Sequence, residues 1–374
     1  METFRLSSKL RENDREYLIQ TTNDVEQGTV CTTVFVDGVR TDTFSYPHPN
    51  DVAQDRLLAL VKETHGERKK EMENLLQAYQ QVSLGGDPEA MYRLATTFYY
   101  RRLYHETADL LARLTRLDPS YHQAFHLLSM TEVALGENVE AVNVAAEAVR
   151  LRPGYADYRN NLGEALLAAG AAAEAITEFE AAISINMYYG DAYFNLGLAR
   201  TLEASHCTDP STRRQLGSRI VDHFRKATLI QPELENQTQY REGLTALTNF
   251  DYSSALAALK RVRESRREAK RQEFVAANQR LMTPRDSWTT EAIVEQIRIL
   301  QTRLSQHPNY LDLQTELACC YFEHADLIWG RGIEECGRIL EAHPEADQIT
   351  HTRDQAQTVR QAMVQTIANI DRKD

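Results

Sequence analysis

The feature that most limits how this chain can fold is a fixed step of 34 residues along its sequence. Leucine recurs at this step, in Leu94, Leu128, Leu162 and Leu196. The same step relates other residue types, in the pairs Pro119 and Pro153, Gly163 and Gly197, Ala141 and Ala175, and Ala148 and Ala182. Self-similarity at a constant period indicates stacked copies of one supersecondary unit, so an array of such units is predicted.

Each unit has the apolar spacing of a helix pair. A small residue follows each of the repeated leucines, and small residues recur on the second helix. Small side chains let two antiparallel helices approach closely, and a bulky residue such as Phe179 or Phe224 fills the remaining gap. Proline then ends the second helix, because it has no N–H to donate and clashes with the preceding turn.

Two stretches of sequence carry a resemblance to a known family. They are YRNNLGEALLAAGAAAEAITEFEAAISIN at 158–186 and DAYFNLGLA at 191–199. Both resemble the tetratricopeptide repeat (TPR) of bacterial-type proteins, and the resemblance extends over roughly residues 88–200. It implies a mainly α-helical fold, a TPR α-solenoid of helix-turn-helix repeats whose first helices line a concave groove. It also implies that the chain binds other proteins.

The weaker parts of the repeat pattern set the expected domain boundaries. We expect a solenoid over 88–345 with about five repeats, a loop insertion near 203–213, and two degenerate units at the C-terminal end. Pro308 and Pro344 are expected to end the second helices of these two degenerate units. The second of the two units is expected to start near Leu311. A helix over 346–374 is expected to cap the stack, because a solenoid needs a polar terminal face.

Residues 1–49 have a different periodicity. β-branched and aromatic residues alternate there with a period of 2, and Asp37-Gly38 is a strong signal for a two-residue hairpin turn. A small antiparallel β-meander of three or four strands is predicted, with no family resemblance. A connecting helix or helices should follow over 50–87, capped by Asn50 or Asp51 and with a break expected at Gly66.

Composition narrows the functional classes. The chain has 54 acidic and 42 basic side chains and a net charge of −12, the wrong sign for a protein that coats nucleic acid with its whole surface. No run of 18 apolar residues occurs, and the first residues lack the apolar run of a signal peptide. We therefore expect a cytoplasmic protein with no nucleic-acid partner and no membrane insertion.

Sequence motifs for catalysis are missing. The glycines of WGRGIEECG do not match a dinucleotide fingerprint, and no zinc-protease, nucleophile-elbow or kinase motif occurs. His206, Cys207 and Asp209 match no standard zinc spacing, and the adjacent thiols of Cys319 and Cys320 are expected in the core. The sequence predicts a protein that is not an enzyme and has no metal and no cofactor.

The TPR resemblance assigns ten residues to the groove of the solenoid. Asparagines that resemble those of a carboxylate clamp, Asn161 and Asn195, lack the basic groups that such a clamp needs, which disfavours binding of a chaperone C-terminal tail. The aromatic residues of the groove are interpreted either as ligand contacts or as packing against the next repeat. The groove residues are Tyr92, Thr96, Tyr99, Tyr100, His126, Met130, Asn160, Glu164, Phe194 and Leu198.

A run of basic residues, KRVRESRREAKR at 260–271, is the one marked charge cluster. On a helix, Arg263, Arg266, Arg267 and Lys270 form one basic stripe, because they stand at i, i+3, i+4 and i+7. The stripe is either a docking face for an acidic partner or a surface neutralised within the molecule. The second interpretation is favoured, because the chain has a surplus of carboxylates and isolated like charges repel.

Together these features predict a non-enzymatic interaction scaffold or adaptor that binds a peptide or helix with apolar anchors in the groove. One alternative is a homo-oligomeric structural protein that associates through the N-terminal sheet as a homodimer. Another is a non-catalytic subunit of an enzyme complex. The sequence does not name the partner, because one fold serves many functions.

Overall fold

The computed structural model describes residues 3–12, 14–24, 27–48, 53–278, 293–294, 297–298, 300–301, 311–342 and 345–370. The chain divides into two compact units, residues 1–275 and residues 276–374. The expected cap at Asn50 or Asp51 and the expected helix ends at Pro308 and Pro344 lie outside the described residues.

The N-terminal sheet is the predicted antiparallel meander, with four strands in the order β1-β2-β3-β4. Asp37 and Gly38 have φ angles of 50° and 81°, the left-handed pair that a tight hairpin between β3 and β4 requires. Alternate side chains of β2 and β3, such as Ile19 and Val34, are buried on one face. The strands are β1 Arg5–Glu12, β2 Arg15–Asp24, β3 Thr29–Val36 and β4 Val39–Pro47.

A single helix, α1 (Gln54–Gly85), covers the buried face of the sheet and contacts β1, β2 and β3. The expected break at Gly66 does not occur. A glycine inside a helix costs only about 1 kcal/mol relative to alanine. Burial of Leu57 and Val61 before it and Met72 after it outweighs that cost, so the helix continues for 32 residues.

Helix pairs follow α1 and confirm the TPR architecture. The first helices of four successive pairs begin at Pro88, His122, Ala156 and Gly190, at the predicted 34-residue step. A short 3₁₀ helix, Pro232–Asn236, precedes the fifth pair. The pairs are α2 Pro88–Tyr100 with α3 Tyr104–Leu117, α4 His122–Leu135 with α5 Asn138–Leu151, α6 Ala156–Ala168 with α7 Ala172–Ile185, α8 Gly190–His206 with α9 Pro210–Ile230, and α10 Thr238–Thr248 with α11 Tyr252–Asn278.

The prediction of a long loop near 203–213 is wrong. The extra residues lengthen α8 to 17 residues and α9 to 21, and only Cys207–Asp209 separates the two helices. Pro210 stands in the first turn of α9, where its missing N–H is not needed, and the Asp209 carboxylate accepts a hydrogen bond from the Thr212 N–H at 2.8 Å. The residues interpreted as a loop are thus a helix start.

The C-terminal unit contains two long helices among its described residues, Leu311–Ala342 and Asp347–Ile370. The expectation of a helix-turn-helix unit from Leu311 onward is wrong, because one unbroken helix occupies 311–342. This helix packs on the next one, where Arg360 donates hydrogen bonds to Asp326 at 2.7 and 3.0 Å. Cys320 is buried beside Ile293, which agrees with a packing role for this thiol, and the side chain of Cys319 lies outside the described part of the chain.

Candidate interaction groove

The first helices of the TPR pairs form the inner face of the stack. α2 contacts α4, α4 contacts α6, and α6 contacts α8, as expected where helices line the concave side of a curved array. Small residues set the spacing between the first and second helix of a pair: a Cβ on Gly163 of α6 would lie 2.6 Å from the Phe179 ring of α7, and one on Gly197 of α8 would lie 2.7 Å from the Phe224 ring of α9. Close pairing thus presents the faces of α2, α4, α6 and α8 as one surface.

One end of this surface is aromatic. Tyr99 and Tyr100 of α2 meet edge to face with their ring centroids 5.3 Å apart, and Tyr104 contacts Tyr99 in the same way at 5.7 Å. Burial raises the pKa of the Tyr99 hydroxyl, so this group is a neutral hydrogen-bonding phenol near neutral pH. The end of the groove is therefore a neutral, partly buried aromatic wall.

The middle of the surface is polar and acidic. The Asn195 side-chain amide of α8 donates to the Asn160 oxygen at 3.0 Å and to the Glu164 carboxylate at 2.7 Å. Burial opposes the charge on Glu164, but Arg267 and Arg263 outweigh burial and hold the pKa of this carboxyl below its ordinary range. Asparagines on two neighbouring first helices thus hold one carboxylate in place.

The groove is occupied by the chain itself. The first part of α11 is the second helix of the fifth pair, where Tyr252, Leu259 and Val262 are buried in its core. From Arg263 onward α11 continues without a break past that core. We call residues 263–275 the strap, because their side chains contact Asp191 of α8, Glu164 of α6 and Tyr100 of α2.

Ionic contacts hold the middle of the strap. The Arg266 guanidinium donates to Asp191 and, at 2.8 Å, to the Gln231 side-chain oxygen. Arg267 donates to Glu164, and the Lys270 ammonium donates to Asp191 at 2.8 Å. These partners lie on α6, α8 and the turn after α9, so three of the four residues of the basic stripe are neutralised within the molecule. The Nε atom of the fourth, Arg263, is buried with no hydrogen-bond partner among the described residues.

The far end of the strap reaches the aromatic wall and the sheet. The Phe274 ring stacks on Tyr100 with a centroid distance of 3.7 Å. Arg271 donates to the Asp42 carboxylate of β4 at 3.0 Å and to the Tyr100 carbonyl at 3.1 Å. The strap therefore links the fifth helix pair to the first pair and to the N-terminal sheet.

A buried charge cluster lies where strap, sheet, α1 and α2 meet. Asp42 is 5% exposed and lies between the guanidinium groups of Arg271 and Arg101. Arg101 also pairs with Glu71 of α1, which in turn pairs with Arg68. Buried charges are tolerated only when paired in this way, so the cluster fixes the four elements against one another.

The ten predicted groove residues divide into three groups, which lie at the strap, in the core and between neighbouring pairs. Tyr99, Tyr100 and Glu164 face the strap directly, and Asn160 orients Glu164. The prediction that Phe194 and Leu198 are exposed in the groove is wrong, because both are 1% exposed and belong to the core shared with Phe224 and Tyr240. The Phe194 ring still forms part of the groove floor, with the Arg266 guanidinium 5.4 Å from its centroid.

The remaining groove residues are engaged in packing within the stack of helix pairs. The Tyr92 ring packs on Tyr121, and the Thr96 hydroxyl donates to the Tyr92 carbonyl at 2.9 Å. The His126 ring stacks on Tyr158 at 4.7 Å, and burial lowers the pKa of His126. Met130 is partly buried on α4. These positions are occupied by packing between neighbouring pairs.

The stripe and the groove were each predicted from the sequence, but the contact between them was not. The signal was present: helical spacing runs on through KRVRESRREAKR with no proline or glycine after Val262. A second helix of ordinary TPR length ends near there, so the excess length indicates a segment that must pack elsewhere. Asp42, Arg101 and Arg271 carried no sequence signal for their proximity.

The described residues contain no cluster of His, Cys, Asp and Glu suited to hold a metal ion. Within the same residues, no helix is long and apolar enough to cross a membrane. Cys207 lies in the short turn between α8 and α9 as a free thiol.

Several solved structures of TPR proteins are similar to parts of this chain. The MamA crystal structure is 21% identical with a TM-score of 0.37, and the match covers 46% of this chain and 96% of MamA. YrrB, a TPR protein with an unusual peptide-binding site, is 17% identical with a TM-score of 0.35, and the match covers 49% of this chain and 89% of YrrB. TTC0263, a thermophilic TPR protein from Thermus thermophilus, is 17% identical with a TM-score of 0.36, and the match covers 63% of this chain and 99% of TTC0263.

No protein-family model and no curated protein matches the sequence. The helix pairs of the chain itself, at their 34-residue step, carry the assignment of the TPR fold.

Proposed function

We propose that this TPR solenoid is a non-enzymatic cytoplasmic scaffold whose groove receives a helix of a partner protein. The observation that supports the proposal is the strap: a helix already lies against α8, α6 and α2 through charged and aromatic contacts. A surface that holds one helix by side-chain contacts has the shape and spacing to hold another. The strap thus occupies the place of a ligand.

The chemistry of the groove favours charged anchors over the apolar anchors that the sequence suggested. Phe194 and Leu198 are buried in the core and present little area to a ligand. Glu164 and Asp191 instead point to the occupant, and both carboxylates have basic partners on the strap. A clamp for a C-terminal carboxylate would need cations at these positions.

Selection from a displayed library of helical peptides tests the proposal on the full chain. The groove variant Glu164→Lys reverses one charge on α6, and the matched variant Glu174→Lys makes the same change on exposed α7. Selected helices should bind the wild type and Glu174→Lys with similar Kd, and Glu164→Lys about tenfold more weakly or worse. Equal binding to all three proteins would place the ligand elsewhere and contradict the proposal.

Self-association through the sheet is a second candidate function, because the meander is open. β1 and β4 are the two outer strands of the sheet, and each has one edge without a partner strand in this order. Proteins commonly cover such edges by pairing or packing. A homodimer that presents two grooves would act as a structural adaptor or as a non-catalytic subunit of an enzyme complex.

A further inference from the structure

The contacts of the strap indicate which kind of helix the groove can bind. The strap's side-chain contacts with Asp191, Glu164 and the Tyr100 ring come from Arg266, Arg267, Lys270 and Phe274, which stand at i, i+1, i+4 and i+8. Arg271 pairs instead with Asp42 of the sheet. The four positions that contact the groove lie on one side of a helix. The occupant is therefore defined by a pattern of three cations followed, one turn later, by an aromatic ring.

The groove carboxylates are held ready for cations by groups outside the strap. Glu164 accepts from the Asn195 amide at 2.7 Å and from the Asn160 amide at 3.4 Å. Asp191 accepts from the Gln231 amide at 3.1 Å and lies in the first turn of α8, where the helix dipole favours a negative charge. Both carboxylates would keep these partners if the strap moved away.

The middle of the strap contributes little to the apolar core. Between Arg263 and Glu273 its only apolar residue is Ala269, and its apolar contacts come from the last two residues, Phe274 stacked on Tyr100 and Val275 buried. Arg267 and Lys270 keep 49% and 63% of their side-chain surface exposed, so their ion pairs are screened by water and salt. Segments with few buried apolar contacts open at lower free-energy cost than a packed core, and for the strap this cost includes separation of the buried pair of Arg271 with Asp42. The first half of α11, which buries Tyr252, Leu259 and Val262, stays anchored.

We infer that the groove's partner is a basic amphipathic helix with the strap's own pattern of cations and aromatic ring, and that it binds by replacing the strap. The inference rests on the proposed function and specifies its ligand. Charge complementarity supports it, because the groove offers Glu164 and Asp191 and the whole chain carries a net charge of −12. An acidic or purely apolar helix would leave both carboxylates without cations.

Competition with the strap sets the apparent affinity. A tethered segment acts at an effective concentration of about millimolar, so a free helix must overcome a local competitor. Weakening the strap should therefore strengthen binding of a basic helix, although the strap residues themselves make no contact with the incoming ligand. A purely structural role for the strap predicts no such gain.

A peptide-binding experiment on the full chain tests this inference. The probe is a fluorescein-labelled peptide with the sequence of residues 260–275, and the control peptide has the same composition with its cations redistributed around the helix. The strap variant carries Arg266→Gln, Arg267→Gln and Lys270→Gln. Fluorescence anisotropy at low salt should show that the probe binds the strap variant about tenfold more tightly than the wild type. Adding Glu164→Gln and Asp191→Asn should remove this binding.

A second measurement covers a strap variant that fails to fold. Hydrogen exchange of the wild-type chain is followed with excess probe or excess control peptide. Amides of 263–275 should lose protection with the probe alone, whereas those of 252–262 stay protected.

Distinct results would overturn the inference and the proposed function. Equal binding of probe and control, or tighter binding of both to the wild type, would contradict the inference. If the library selection finds groove-binding helices that lack the basic pattern, the inference is wrong and the proposed function stands. If no selected helix depends on Glu164, the proposed function fails as well.

Discussion

Glycines on the first helices show how one missing methyl group sets the spacing of a helix pair. Gly163 of α6 faces the Phe179 ring of α7, and Gly197 of α8 faces the Phe224 ring of α9. The rings occupy the space where a Cβ would be. Gly66 in α1 differs, because it is exposed and nothing lies within 4 Å of its Cβ position. The same residue type thus has opposite roles at the two kinds of site.

Alanine at these glycines should change stability in opposite directions. Gly163→Ala places a methyl group 2.6 Å from Phe179 and should lower the free energy of unfolding by about 1–3 kcal/mol through overpacking. Gly66→Ala should raise it by about 0.5–1 kcal/mol, because alanine favours the helix. Urea titration of both variants checks this, and a stabilised Gly163→Ala would contradict the packing described here.

Asp191 and Glu164 should make the strap sensitive to acid. Burial opposes the charge on Asp191, but Lys270 and Arg266 outweigh burial and hold the pKa of its carboxyl below the ordinary 3.8. A depressed folded pKa contributes stability above the ordinary value and loses it as the pH falls toward the folded value.

We expect the wild-type melting temperature to fall steeply as the pH decreases below about 5, because the free energy of unfolding decreases by about 1–3 kcal/mol. The double variant Glu164→Gln with Asp191→Asn should start lower at neutral pH and change less as the solution is acidified. Thermal melting at several pH values measures the difference. Parallel curves for the two proteins would show that these carboxylates do not stabilise the strap.

At the scale of elements, α11 is one helix with two environments. Its first half, up to Val262, is buried against α9 and α10, and the side chains of its second half are mostly charged. Helix geometry joins the halves, and the packing of each half differs. The stability of α11 should therefore vary along its length.

Hydrogen exchange of the wild-type chain should resolve this difference. Amides of 263–275 should exchange faster than those of 252–262, because few buried apolar contacts protect them. Adding salt should accelerate exchange in 263–275 by screening the exposed ion pairs of Arg267 and Lys270. Uniform protection along α11, unchanged by salt, would mean that the strap is part of the core.

At the scale of the first compact unit, buried polar contacts attach the sheet to the solenoid. The Tyr17 hydroxyl of β2 donates to the Glu106 carboxylate of α3 at 2.6 Å. Asp42 of β4 pairs with Arg101 after α2 and with Arg271 of the strap. Sheet and repeats are therefore expected to unfold together.

Asp42→Asn tests this coupling. Removing the charge leaves two buried guanidinium groups with less compensation, and breaking such a buried pair costs about 3–5 kcal/mol. Glu63→Gln, an exposed change of the same type on α1, should cost less than about 0.5 kcal/mol. Chemical denaturation monitored by circular dichroism measures both variants. A second, separate transition in wild type would contradict unfolding as one unit.

Dimerisation through the sheet is a prediction at the scale of the whole molecule. Besides the open edges of β1 and β4, a second sheet would cover the face away from α1, where Leu18 of β2 and Phe35 of β3 stand opposite each other. Light scattering of the full chain should give the mass of a dimer, and Leu18→Lys with Phe35→Lys should give a monomer, because two charges would be buried. A wild-type monomer at all concentrations tested would defeat the prediction.

The local and repeated parts of this protein are specified by patterns in the amino-acid sequence. The 34-residue step, the small residues of each pair and the Asp37-Gly38 turn specify contacts between residues that are close along the chain or one repeat apart. Such contacts leave a periodic signal, because the same packing problem is solved several times. The helix pairs and the four-stranded meander were therefore predictable.

The occupant of the groove was visible in the three-dimensional packing and not in the sequence. The pairs formed by Arg271 with Asp42 and by Arg267 with Glu164 join residues that are 229 and 103 positions apart. Each contact occurs once, so no sequence periodicity indicates it. A basic residue also has many candidate partners along an acidic chain. Which carboxylates meet the basic stripe depends on how the curved stack brings its first pair near its fifth. That curvature is the sum of small rotations between repeats, which packing sets and local sequence does not display.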